Sequence, residues 1–177
     1  MRATDEDRFR EFARDNAVML RRYGYLLCGD WHLAEDLVQT TLYKMYGAWP
    51  RIRGTDRPVS YARQTLTRCW LDERRRPWRR SERRTGTLPE VVDPAADPAA
   101  HQQRSGLRAE LAAALDQLAP RQRAVLVLRY FCELPVAETA RELRCSEGTV
   151  RSQAARALTA LRSIYPMGSG YLTESGL

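Results

Sequence analysis

The residues whose types and spacing could do chemistry lie between Pro135 and Leu158. Two short helical patterns, 135–144 and 147–158, are separated only by Cys145-Ser146, which is the arrangement of a helix-turn-helix. Ser146 stands where it can cap the second helix. The polar residues of that helix can hydrogen-bond to base edges or phosphates in a major groove: Glu147, Thr149, Arg151, Ser152, Gln153 and Arg156. Sequence-specific DNA binding is therefore the first hypothesis, and two packed helices with a solvated polar face are the alternative.

A second candidate cluster is the arginine-rich stretch 50–84, which holds 12 arginines against 4 acidic residues. Aromatic residues alternate with these arginines. Guanidinium groups can grip phosphates while aromatic faces stack on exposed bases. The cluster predicts a nucleic-acid contact, with a solvated charge run as the alternative; for Trp70 taken singly, a place in the core is favoured. Its members include Tyr61, Arg63, Arg68, Trp70, Arg74 and Arg75.

The composition of the 177 residues agrees with a nucleic-acid partner. There are 29 Lys and Arg against 22 Asp and Glu, a net charge of +7, and Lys44 is the only lysine. Arginine matches phosphate with two parallel hydrogen bonds, so an excess made almost wholly of arginine favours phosphate binding. No apolar run is long enough to span a membrane. The acidic N-terminus shows no secretory signal, so we expect a cytoplasmic protein with reduced cysteines.

Enzymatic function is not expected. The sequence shows no glycine-rich phosphate loop. Its two histidines, His32 and His101, are far apart, which leaves little material for a metal site or a catalytic triad. We therefore predict no catalytic residues, no metal and no cofactor.

The elements that must position these residues all have helical periodicity. In the first half, apolar residues recur every three or four positions and predict helices over Phe9–Leu27, from an Asp30 cap to Trp49, and over Val59–Arg76. Pro50 is expected to stop the second helix and Pro77 the third. Helical periodicity resumes at Leu107, and Pro120 opens a further helix.

The stretch between the two helical halves is punctuated by proline and poor in large apolar residues. It is therefore predicted to be an extended linker. The predicted fold class is all-α, with two small helical domains joined by this linker. The predicted boundaries are a first domain at 1–78, the linker at 79–106, a second domain at 107–165 and a tail at 166–177.

Motifs in both halves resemble the extracytoplasmic-function (group IV) sigma factors of the sigma-70 family, and more narrowly the actinobacterial SigE-type subfamily. The resemblance covers about residues 8–164. Two matching domains in the right order are more specific than a helix-turn-helix alone. The motifs are Ala34-Glu35-Asp36-Leu37-Val38-Gln39 and Tyr46-Gly47-Ala48-Trp49 in the first half, and Leu118-Ala119-Pro120-Arg121-Gln122-Arg123, Leu128-Arg129-Tyr130 and Ser146-Glu147-Gly148-Thr149-Val150-Arg151-Ser152 in the second.

The resemblance implies that the first domain is sigma-2-like and binds core RNA polymerase and the −10 element. Its second helix would dock on the clamp helices of the largest subunit through Glu35, Asp36 and Gln39. The loop 51–60 and the third helix would hold flipped-out bases of the −10 element. The candidate −10 residues are Arg51, Arg53, Tyr61, Arg63, Arg68, Arg74 and Arg75.

For the second domain, the resemblance implies a sigma-4-like module that contacts the polymerase flap and reads the −35 element. Its candidate DNA-binding residues are Ser146, Gly148, Thr149, Arg151, Ser152, Gln153, Arg156 and Arg129. The two elements lie about 17 base pairs apart in this family, or about 58 Å at 3.4 Å per pair. A 30-residue linker can extend to roughly 100 Å, so it is long enough to span the distance between the two elements.

Many family members carry asparagine where this chain has Arg68, four residues before Asp72. The expected partners are core polymerase and promoter DNA, and the resemblance allows an anti-sigma factor as a third. One alternative function is a transcription regulator that binds an operator through its helix-turn-helix without being a polymerase subunit. Such a regulator leaves the motifs of the first domain unexplained. An anti-sigma factor or adaptor is the other alternative, and the recognition helix argues against it.

Overall fold

Three helices form the first module of the protein. The computed structural model describes residues 3–55, 57–75 and 111–164. Asp30 caps the second helix as predicted, because its Oδ1 accepts a hydrogen bond from the Leu33 amide at 2.9 Å. Gly29, with φ at +75°, makes the turn before it in a conformation that suits glycine. The helices are α1 (Ala3–Cys28), α2 (Trp31–Ile52) and α3 (Pro58–Arg75).

The prediction that Pro50 ends the second helix is wrong, because α2 continues through Pro50 to Ile52. Proline costs a helix one backbone hydrogen bond and some steric strain. Both Trp49 and Ile52 are buried in the core, and their packing offsets that cost. The loop is consequently shorter than the predicted 51–60, and Pro58 occupies the first position of α3.

The second module follows in four helical segments, and Pro120 opens one of them as predicted. The helix-turn-helix is confirmed, with its break at 144–146. No strand is found in 3–55, 57–75 or 111–164, and the all-α fold class is confirmed. The segments are α4 (111–116), α5 (Pro120–Leu126, continued by a π-helical turn at Val127–Phe131), α6 (Val136–Leu143) and α7 (Glu147–Ile164).

Trp70 lies in the core, at 1% exposure, as the sequence favoured. Beside it, Tyr23 is fully buried and its hydroxyl hydrogen-bonds to Thr67 Oγ1 at 2.5 Å, which ties α1 to α3. Burial raises the pKa of Tyr23 well above its usual range and keeps the hydroxyl neutral for this bond.

The two modules share one hydrophobic core. Four residues of the second module, Ala124, Val127, Leu128 and Leu134, belong to the same buried cluster as Leu20, Tyr23 and Trp70 of the first. The modules therefore pack against each other. The predicted linker at 79–106, the tail at 166–177 and the helix stop at Pro77 lie outside the described residues, and so do the predicted domain boundaries.

Candidate nucleic-acid interface

The helix-turn-helix is built from α6 and α7 around a small apolar contact. Val150 of α7 is fully buried against Ala140 of α6 and Val125 of α5. Arg144 takes the left-handed conformation, with φ at 51°, and ends α6. Ser146 caps α7, since its Oγ accepts from the Thr149 amide at 3.1 Å. This packing fixes the angle at which α7 leaves the module.

The face of α7 that points away from this contact is polar and basic. Arg151 is exposed and pairs with Glu147 at 2.8 Å. The hydroxyl of Ser152 donates to the carbonyl of Thr149 at 3.0 Å. Arg156 and Gly148 are exposed, whereas Thr149 and Gln153 are partly buried. Four of the six residues of α7 that are predicted to contact DNA are thus open to solvent, as a recognition helix requires.

Gly148 lies in the first turn of α7, where the helix amides point outward. A Cβ added there would meet nothing closer than Ser146 Oγ at 3.8 Å. The fold itself therefore has room for a side chain at this position. A glycine at a helix N-terminus leaves its amides open to a phosphate.

Arg129 lies apart from this face, in the π-helical turn after α5. It is partly buried, and its guanidinium donates to the carbonyl of Leu134. That bond secures the turn before α6. Its phosphate contact remains a prediction.

The predicted −10 residues are distributed over the end of α2 and over α3. Five of the seven are exposed, and two of these hold internal partners. Arg53 pairs with Asp5 at 2.6 Å, which joins the end of α2 to the start of α1, and Arg75 lies 3.8 Å from Asp72. The exposed five are Arg51, Arg53, Arg68, Arg74 and Arg75, while Tyr61 is partly buried.

Arg63 is the exception, because it turns toward the second module. It donates to Glu142 of α6 through Nη2 at 2.7 Å and through Nε at 3.2 Å. The two side chains are only 15% and 4% exposed. Burial acts to lower the pKa of Arg63, but the hydrogen bond and the charge of Glu142 outweigh it and raise the pKa. Beside this pair a cleft of about 600 Å³ runs between the modules, with Tyr61, Arg57 and Arg141 on its walls.

Sequence reasoning did not assign a role to Glu142 or to Arg123. Arg123 of α5 is buried, and its Nε donates to the carbonyl of Leu26, near the end of α1, at 2.6 Å. Its Nη1 pairs with Asp116 at 3.1 Å, and Nη2 has no hydrogen-bond partner in the described part of the chain. Burial lowers the pKa of Arg123. Both residues look like ordinary surface charges in the sequence, which holds no signal for their burial.

The predicted polymerase-binding residues lie on the solvent side of α2. Asp36 and Gln39 are exposed, and Tyr43 continues the same face one turn later at 82% exposure. Glu35 pairs with Arg21 of α1 at 2.5 Å. The face therefore combines a carboxylate, an amide and an exposed aromatic ring, which is a composition suited to protein contacts.

The described residues contain no group of three or more His, Cys, Asp or Glu that could hold a metal ion. Cys28 and Cys132 are free thiols, and burial raises the pKa of each to about 11. They are therefore protonated at neutral pH. Across these same parts of the chain, no helix has the length and hydropathy to cross a membrane.

Two family profiles match the chain in succession. The profile of sigma-70 region 2 matches residues 12–80, and the profile of sigma-70 region 4 matches residues 108–161. The matched regions correspond to the two helical modules.

Individual relatives cover most of the chain. The RNA polymerase sigma-E factor of Streptomyces coelicolor is 34% identical over 154 residues, which are 87% of this chain and 84% of that protein. The ECF RNA polymerase sigma factor SigL of Mycobacterium tuberculosis is 33% identical over 157 residues, with 84% and 83% covered. The sigma factor RpoE of Bartonella quintana, solved with the anti-sigma factor NepR, shares the fold at a TM-score of 0.67 and 19% identity, over 89% of this chain and 98% of that one.

Proposed function

The chain belongs to the extracytoplasmic-function group of the sigma-70 family, and we propose that it is an alternative sigma subunit that binds core RNA polymerase and directs promoter recognition, DNA melting and transcription initiation. The observation that carries this proposal is the succession of a region 2 and a region 4 module in one chain, each with an exposed basic face. A simple operator-binding regulator needs only the second of these. The role is that of an initiation factor, exercised in the cytoplasm where polymerase and promoters meet.

In this proposal α7 enters the major groove of the −35 element. Arg151 and Arg156 supply guanidinium forks for base edges or phosphates. The first turn, with Ser146 and Gly148, approaches the backbone, where the outward amides of the helix favour a phosphate. Arg129 supports this site by holding the turn before α6.

The −10 element is assigned to α3 and the end of α2. Opening DNA requires unstacking of bases at a few kcal/mol per base, which stacking and pockets for the flipped bases must offset. Tyr61 lines the cleft beside Arg57 and can stack on a flipped base. The exposed arginines at 51, 53, 68, 74 and 75 can bind the backbone of the separated strand.

The exposed face of α2 is assigned to core polymerase, through Glu35, Asp36 and Gln39, with the clamp helices of the largest subunit as the partner. The second module is expected to contact the flap. An anti-sigma factor is a further expected partner. We place the modules at 1–78 and 107–165, with 79–106 between them and 166–177 as a tail.

Run-off transcription with purified core enzyme on a genomic promoter library tests the proposal. We expect transcripts that depend on the added chain and that share two upstream elements about 17 base pairs apart. A second arm asks whether the chain binds core polymerase without DNA. If it binds DNA but neither joins the polymerase nor yields transcripts, it is an operator-binding regulator, and the proposal is refuted.

A further inference from the structure

We propose that Lys44 of α2 and Cys69 of α3 form a reversible redox site, in which a hydroperoxide oxidises the thiol and the lysine amine then closes a covalent sulfur–nitrogen link between the two helices. This modification lies beyond the proposed function, because neither polymerase nor DNA takes part in it.

The two atoms that would react are already in contact. Nζ of Lys44 donates a hydrogen bond to Sγ of Cys69 at 3.3 Å, and so joins α2 to α3. Reacting atoms about 3–3.5 Å apart are at the distance from which attack begins. The flexible four-carbon stem of lysine lets the nitrogen move the rest of the way to a bond. The pair is therefore a nucleophile held against its target.

A lysine is exceptional in this chain. Lys44 is the only lysine among 29 basic residues, and all the others are arginine. A guanidinium stays protonated in proteins, so it can donate hydrogen bonds but cannot attack a sulfur atom. A lysine amine that releases its proton is a nucleophile. The one side-chain amine of the chain thus contacts a thiol.

The surroundings of the pair favour reaction within the chain. The Lys44 side chain is exposed, whereas Cys69 is only 8% exposed. A small hydroperoxide can reach the sulfur at this edge of the core, while a bulky thiol that would compete with the amine is hindered. Burial raises the pKa of each of the other three thiols, Cys28, Cys132 and Cys145. They stay protonated, which slows their oxidation.

The reaction has two steps, and the hydroperoxide is the only oxidant consumed. In the first step, Sγ of Cys69 takes an oxygen atom as the O–O bond breaks, which gives a sulfenic acid and releases water or an alcohol. In the second step, the neutral amine of Lys44 attacks the sulfur. The S–N bond forms, the S–O bond breaks, and the hydroxyl leaves as water with a proton from the nitrogen. The product is a sulfenamide.

Thiols reverse the link. A first thiol attacks the sulfur, the S–N bond breaks, and the amine leaves with the proton of that thiol. A second thiol then displaces the first from the mixed disulfide, which restores the Cys69 thiol and oxidises the two reductant molecules to a disulfide.

Mass spectrometry of the folded full chain after treatment with hydrogen peroxide tests the site. We expect a product about 2 Da lighter than the reduced chain, because two hydrogens are lost. Trypsin does not cut after a modified lysine. The linked product should therefore contain the segment 23–51 uncut and joined to 69–74, and dithiothreitol should restore the cut after Lys44.

Lys44→Arg is the matched variant, since it keeps the positive charge and the donor but removes the nucleophile. It should give no linked peptide, and Cys69 should instead gain about 16 Da for each oxygen atom added. Cys69→Ala removes the sulfur, so the cut after Lys44 should stay complete under peroxide. Circular dichroism verifies that both variants are helical. Because residue 44 is exposed, Lys44→Arg decides the question alone should Cys69→Ala fail to fold.

Absence of the linked peptide in the wild type, or its formation in Lys44→Arg, would overturn the proposal. So would a disulfide from Cys28 to Cys69, which joins 23–44 to 69–74 and leaves the cut after Lys44 intact. A linked pair about 14 Da heavier than the reduced chain would place an oxygen between the two atoms and overturn the direct bond. Co-purification of the reduced protein with core polymerase tests the proposed function separately, so either idea can fail without the other.

Discussion

Removing the guanidinium of Arg156 should weaken −35 binding more than removing that of Arg151. Both arginines lie exposed on α7. Arg151 is held by Glu147 at 2.8 Å, four residues earlier on the same helix. The structure gives Arg156 no ion pair within the described residues. Arg151 must therefore leave a partner before it can contact DNA, and Arg156 need not.

The expected magnitudes follow from this difference. An arginine that contacts a base is worth about 1–3 kcal/mol, or roughly 5–150-fold in affinity. An exposed i,i+4 ion pair is worth about 0.3–0.5 kcal/mol. Arg151 gives up this energy when it leaves Glu147 to contact DNA, so its net contribution to binding is smaller by that amount. Arg156→Ala should therefore cost about 1–3 kcal/mol, and Arg151→Ala a few tenths less. Glu147→Gln should strengthen binding about twofold, because it frees Arg151 and removes a negative charge from the DNA face.

Fluorescence anisotropy with a promoter fragment recovered from the run-off screen measures the DNA affinity of all three variants. A salt titration then distinguishes contacts to phosphates from contacts to bases. Loss of a phosphate contact lowers the salt slope by about one and weakens all sequences alike, while loss of a base contact relaxes specificity at one position. Thermal unfolding of each variant checks that α7 is still folded, because the carboxylate of Glu147 also stabilises the N-terminus of this helix. The reasoning fails if Arg156→Ala binds within twofold of the wild type, or if Arg151→Ala is clearly the weaker binder.

Three further predictions concern polymerase binding, the α7 cap and the buried thiols. Asp36→Ala and Gln39→Ala should reduce co-purification with core polymerase without changing the thermal midpoint, since both side chains are exposed. Ser146→Ala should lower the free energy of unfolding of the second module by about 1 kcal/mol through loss of the cap, as urea titration would show. Stability should be level up to about pH 9 and decline as pH rises toward 11, because the thiols of Cys28 and Cys132 have pKa values of about 11 when folded and 9.0 when exposed.

The chain offers a matched control for each of these. Asp15→Ala removes an exposed carboxylate from α1, and an equal loss of polymerase binding there would mean that the α2 face is not the docking site. Ser163 donates to the carbonyl of Ala160 near the end of α7; should Ser163→Ala cost as much as Ser146→Ala, the capping explanation is wrong. A Cys28→Ala and Cys132→Ala double variant should lose part of the decline above pH 9, and an unchanged decline would assign it to other groups.

The sequence predicts most of the local structure because the signals for helix boundaries are themselves local. Asp30, Pro120 and Ser146 act through backbone groups a few residues away, and each begins a helix as expected. Pro50 shows the limit of such reasoning. Its effect on α2 depends on how well Ile52 packs against the core. This packing is a tertiary interaction, which rules based on the local sequence do not describe.

The pairing of Arg63 with Glu142 lies further beyond the reach of sequence reasoning, since 79 positions separate the two residues. Each is a charged residue on an amphipathic helix, where solvent is the expected surrounding. Their burial is a consequence of the docking of the modules. Burying an ion pair costs nearly as much desolvation as its attraction returns. The net stabilisation by the Arg63–Glu142 pair is therefore small, and the apolar core that the two modules share contributes more to their docking.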